Sequence, residues 1–78
     1  MRTIAELKKI FWCIEANFMF DDGMYVLENR HKIILDNNEK SYYSRIYSTS
    51  KNIADSSDPD DGFKEFLKLY YRTIRYSK

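Results

Sequence analysis

Two apolar stripes with helical spacing stand at opposite ends of this chain, and they limit its fold more than any other feature. Near the N-terminus Ile4, Leu7, Phe11, Ile14 and Phe18 recur every three or four residues, with Ile10 beside them. Near the C-terminus Phe63, Phe66, Leu67, Tyr70 and Ile74 do the same. A period of 3.6 residues marks a helix that buries one side. Each stripe also has a start signal. Thr3-Ile4-Ala5-Glu6 reads as a capping box, in which Thr3 caps the end and Glu6 reaches back to it. Lys8, Lys9 and Glu15 fall off the first stripe, and the spacing predicts a helix over 4–17. For the last helix Asp58 is the cap and Pro59 the first helical residue, while Asp60 and Asp61 suit the positive end of the helix dipole.

Between the stripes the pattern changes. Asp21-Asp22-Gly23 is a turn signal. Three strand-like runs follow: Met24–Glu28, Lys32–Asp36, and the long Tyr-, Ile-, Ser- and Thr-rich run Ser41–Thr49. The links Asn29-Arg30-His31 and Asn37-Asn38-Glu39-Lys40 are short and polar, as hairpins require. Short links favour antiparallel neighbours, because parallel strands need long crossovers. Ser50–Gly62 is polar and reads as the most mobile loop, with room for a helical turn around Lys51–Asp55. The expected fold is therefore α+β in the order α-β-β-β-α. A three-stranded antiparallel sheet carries both helices on one face, in a single domain over 1–78.

Composition closes off other classes. The chain has 78 residues, 13 basic and 12 acidic side chains and a net charge of +1; 44% of it is hydrophobic and 17% aromatic. It is too apolar for a disordered segment. Two glycines and one proline exclude collagen and flexible linkers. With no disulfide available, the aromatic residues supply much of the core. The apolar run Ile10–Ile14 is too short for a signal peptide or a membrane span. A lone Cys13 suits a reducing compartment, so a cytoplasmic location is expected. Frequent Ile, Lys and Asn with few Ala and Gly is the usage that AT-rich coding produces, common in low-GC bacteria, their phages and some large DNA viruses.

Equipment for catalysis is thin. His31 is the only histidine, which removes His-pair metal sites. Cys13 on the first helix and His31 in a turn do not suggest a nucleophile–base pair. With Gly62 at the sixth position of a calcium loop, Ser57, Pro59 and Lys68 would occupy ligand positions, so the acidic stretch at Asp58, Asp60 and Asp61 fails as an EF-hand. Too few glycines remain for a phosphate-cradling loop. No enzymatic activity, metal or cofactor is expected.

The order α-β-β-β-α resembles the double-stranded-RNA-binding domain in topology and length. That family aims a lysine-rich cluster at phosphates from the start of its last helix. Here the same place reads Asp58-Pro59-Asp60-Asp61-Gly62, of opposite charge. Its middle hairpin loop carries a Gly-Pro and a His contact, of which Asn29-Arg30-His31 offers only the histidine. The resemblance implies a fold and no RNA contact of that kind.

Two surfaces point to binding. Tyr43, Arg45 and Tyr47 would share the outer face of the third strand; tyrosine and arginine are enriched at protein-binding hot spots and also stack on unpaired bases. Lys64, Lys68, Arg72 and Arg75 are spaced along one side of the last helix and suit phosphates or an acidic protein patch. The expected function is a small non-enzymatic module that binds a protein partner. A phage or mobile-element inhibitor of a host enzyme complex, of the anti-CRISPR kind, fits the size and the AT-rich type of composition. The alternative is a nucleic-acid-binding regulatory module using the basic face. No membrane partner is expected, and a homodimer through Leu69, Tyr71 and Tyr76 is a further option.

Overall fold

The computed structural model of the chain describes residues 2–16, 19–20, 23–28 and 31–76, with the backbone alone described through residue 32 of the strand region. The element order is α1 (Ile4–Glu15), β1 (Met19–Phe20), β2 (Gly23–Glu28), β3 (His31–Leu35), α2 (Asn37–Ala54) and α3 (Pro59–Tyr76). Helices of 12, 18 and 18 residues dominate strands of 2, 6 and 5. The expected α-β-β-β-α arrangement, a three-stranded antiparallel sheet under two helices, is thereby corrected. Among the described residues there are three helices, and Ser41–Thr49, the longest expected strand, lies inside α2. The resemblance to the double-stranded-RNA-binding domain, which rested on that element order, ends with it.

The reason lies in local chemistry at residue 36. The Asp36 carboxylate accepts a hydrogen bond from the Glu39 amide at 2.7 Å, and its carbonyl accepts from the Lys40 amide at 2.9 Å. Aspartate thus caps a helix where a hairpin loop was expected, and β3 passes into α2 through one residue. Buried Tyr43, Ile46 and Ser50 then fall at helical spacing. The Ser50 hydroxyl donates to the Tyr47 carbonyl at 2.7 Å, which satisfies a buried polar group within the helix. Intrinsic preference for strand or helix in such Tyr-, Ile- and Ser-containing runs is weak enough for capping and burial to decide.

The chain divides into two compact units, Met1–Ser44 and Arg45–Lys78, with the boundary inside α2. In the first, Leu7, Ile10, Phe11, Cys13, Ile14, Leu35 and Tyr43 are buried. Helix α1 lies beside β2. Strand β2 pairs antiparallel with β3 in the register Met24↔Leu35 and Val26↔Ile33, and Met19–Phe20 extends the pairing on the other edge of β2. The Thr3 capping box is complete: its hydroxyl accepts from the Glu6 amide at 3.2 Å, and the Glu6 carboxylate accepts from the Thr3 amide at 3.4 Å. Arg2 then joins Glu6 at 3.2 Å to Glu39 at 2.6 Å. Phe18, Asp21, Asp22, Asn29 and Arg30, each part of a stripe or turn expected from the sequence, lie outside the described residues.

In the second unit Ile46, Ser50, Gly62, Phe63, Phe66 and Tyr70 are buried. The expected loop over 50–62 shrinks to residues 55–58, since Lys51–Ala54 completes α2. Asp55 ends that helix with φ 46°, a left-handed conformation that aspartate tolerates better than most residues. Asp58 restarts the chain as a helix: its carboxylate accepts from the Asp60 amide at 3.0 Å, and its carbonyl from the Asp61 amide at 3.1 Å. Pro59 follows, where its missing N–H is no loss.

Candidate functional site on the last helix

Helix α3 is sharply two-sided. Phe63, Phe66 and Tyr70 are buried at helical spacing, and Phe63 and Phe66 stack with ring centroids 6.3 Å apart. The sequence-predicted cations Lys64, Lys68, Arg72 and Arg75 are all exposed, on the opposite side. Their spacing of four, four and three residues keeps them within about a quarter-turn, at 3.6 residues per turn. Lys68 forms an ion pair with Glu65 at 3.1 Å. Exposed Tyr71 and Tyr76 flank Arg72 and Arg75, and Tyr76 is 77% exposed. Lys78, at the end of the same basic series, lies outside the described residues.

The Tyr43, Arg45 and Tyr47 face does not exist in the form expected. It depended on the period of two that a strand imposes. In α2, Tyr43 is buried, Tyr47 half-buried and Arg45 exposed. Residues two apart on a helix diverge by about 200°, so Arg45 points away from both tyrosines. A Tyr/Arg surface is nonetheless present, at Tyr71, Arg72, Arg75 and Tyr76. The signal for it was the alternation of exposed tyrosine and arginine off the α3 stripe, which sequence reading divided between a basic face and an apolar edge.

Where α2 ends and α3 begins, an open groove of about 450 Å³ is lined by Ile53, Ala54, Asp61, Lys64, Glu65, Leu67 and Lys68. Its lining combines apolar side chains with charges of both signs. Ile53 is 55% exposed there, which is high for an isoleucine inside a helix. Sequence reading missed this groove because Ile53 sat in an expected loop.

Elsewhere the candidates for chemistry are scattered along the chain. Cys13 is buried in α1. His31 opens β3 rather than sitting in a turn, and its side chain lies outside the described residues. Asp58, Asp60 and Asp61 form the cap and first turn of α3. Among the described residues no three His, Cys, Asp or Glu side chains group to hold a metal ion, and no helix is long and apolar enough to cross a membrane. Comparison with protein-family models, curated proteins and solved structures gives no match, so the exposed side of α3 must be judged on its own chemistry.

Proposed function

We propose that this protein acts without catalysis, by binding another protein through the exposed side of α3. One observation carries the reading: Tyr71, Arg72, Arg75 and Tyr76 are exposed together on a helix whose other side is buried. These residue types dominate hot spots because they offer large contact area and multidentate hydrogen bonding. The buried Phe63, Phe66 and Tyr70 fix the helix from behind, so little backbone order is lost on contact. Inhibition of a host enzyme complex is one activity such a surface would serve.

The test begins with capture from a native host lysate, split into nuclease-treated and untreated halves. A protein partner retained after nuclease should bind the triple variant Tyr71→Ala, Arg72→Ala, Arg75→Ala more weakly by over about 2 kcal/mol. Unchanged affinity in a folded variant would rule out this surface. The second reading, a nucleic-acid-binding module, draws on the row Lys64, Lys68, Arg72 and Arg75. It ranks lower because Asp61 and Glu65 stand beside that row and the chain carries a net charge of only +1. Retention on nucleic acid that falls steeply with salt would reverse the ranking.

A further inference from the structure

Four charges on α3 are sorted by sign along one narrow band of the helix. Asp61, Glu65, Lys68 and Arg72 lie within about 60° of each other around the axis, with Lys64 beside the band. Reading along the chain, this band is acidic twice and then basic twice. The helix dipole explains acids in the first turn and bases in the last, but its influence fades beyond those turns. It does not explain why Glu65, Lys68 and Arg72 keep the same order in the middle. Within one helix Asp61 and Glu65 are like charges four residues apart, and so are Lys68 and Arg72, and among these four only Glu65 and Lys68 pair, at 3.1 Å.

The order is its own complement when reversed. We infer that a second copy of this chain is the partner of this face, with the two α3 helices antiparallel about a two-fold axis. This inference rests on the binding-module reading and names its partner. In one register, Asp61 meets the partner's Arg72, and Glu65 meets the partner's Lys68. Two-fold symmetry makes every one of these pairs occur twice. The existing Glu65–Lys68 pair becomes half of a four-charge cluster at the centre. Antiparallel alignment also sets each helix's positive end beside the other's negative end.

The groove fits the same register. Asp61 and Glu65 line it with Lys64 and Lys68, beside Ile53, Ala54 and Leu67. An arginine from the partner would lay its aliphatic stem on those apolar side chains and its guanidinium against Asp61. The exposure of Ile53 is then accounted for. The four charges span about 17 Å of helix at 1.5 Å per residue, so the interface is small and the dimer is a reversible one.

Sedimentation velocity of the full chain over a range of concentrations, at low and high salt, tests this. The expected result is a monomer–dimer equilibrium that salt weakens. Asp61→Arg and Arg72→Asp should each weaken the dimer by at least about tenfold, because each places like charges in contact twice. Mixed together, these two variants should form a heterodimer, and the chain carrying both changes should pair with itself again. Far-UV circular dichroism shows that each variant is folded, and the rescue arms hold even where one change costs stability. Wild-type chain that stays monomeric throughout would overturn the inference, as would a dimer indifferent to either reversal or single variants that fail to pair when mixed. A monomer that still captures another protein through Tyr71 and Arg72 would overturn self-pairing alone and leave the binding-module reading in place.

Discussion

Helices α1 and α3 start alike and end differently. Each begins at a side-chain cap, Thr3 in one and Asp58 in the other, and each buries a stripe at helical spacing. Around α1 the charged groups near the cap are closed upon each other. Glu6 completes the capping box and accepts from Arg2, and Arg2 continues to Glu39. Further along, Lys8 sits over the Trp12 ring at 5.0 Å. On α3 Lys64, Arg72 and Arg75 are exposed, Lys68 pairs with its neighbour Glu65, and the exposed tyrosines stand beside the arginines. The same amphipathic plan thus produces a helix whose charges near the cap pair with one another and a helix whose cations and tyrosines are exposed. Availability of polar and aromatic groups, more than amphipathicity itself, is what marks a binding surface.

The shared half of this comparison is the easiest to break. Phe11 and Phe66 are fully buried. Phe11→Ala and Phe66→Ala should each cost about 3–5 kcal/mol in urea-induced unfolding, a large share of the stability of a chain this short. A cost below about 1 kcal/mol for either would mean that its stripe is not a core, against the general size of such truncations.

Caps come next in size. Asp58→Ala should cost about 1 kcal/mol through the lost acceptor for the Asp60 amide. Thr3→Ala should cost as much or more, because the reciprocal bond from Glu6 is disturbed as well. Equal losses in thermal melts would show that the closed network around α1 adds nothing beyond the cap itself.

The smallest effect is a pH dependence at the α1 cap. The backbone hydrogen bond from Thr3 does most to hold the Glu6 carboxyl below the usual carboxylate range, and the Thr3 hydroxyl and Arg2 reinforce it against partial desolvation. A carboxyl depressed in the folded state stabilises the fold above its ordinary value of about 4.3, and that contribution fades as pH falls through the lowered value. Burial alone would make the Arg2 guanidinium easier to deprotonate, but the hydrogen bond and charge of Glu39, with a contribution from Tyr43, raise its pKa above the ordinary value. Arg2 therefore stays charged across the acid range. Glu6→Gln should flatten the acid limb of a stability–pH profile. An unchanged acid limb in Glu6→Gln would remove the capping box from this account.

How far the sequence could be read depended on the range of the forces involved. The starts of α1 and α3 were legible at Thr3–Glu6 and Asp58–Pro59 because a cap is a contact over three residues. The basic series Lys64, Lys68, Arg72 and Arg75 was legible because helical spacing alone puts it on one side. Asp36-Asn37-Asn38-Glu39 held the same kind of signal as Thr3–Glu6, yet polar residues after an Ile-Ile-Leu run also spell a hairpin loop. Once that cap was passed over, Tyr43, Arg45 and Tyr47 were assigned to one face by the wrong period. The groove at Ile53 was lost for the same reason.

What the sequence determined by itself was local: two capped amphipathic helices, the absence of a disulfide, and the basic series of α3. What only the tertiary structure decided was the state of residues 41–54 and, with it, which aromatic residues reach the surface. Tyrosine, isoleucine and serine pack acceptably on a pleated sheet or on a helix, so their intrinsic preferences leave the choice open by a few tenths of a kcal/mol per residue. Burial of Tyr43, Ile46 and Ser50 along one helical stripe is worth more than that difference. The tyrosine–arginine surface therefore lies on α3, at Tyr71, Arg72, Arg75 and Tyr76, and not on the stretch where the sequence shows it most plainly.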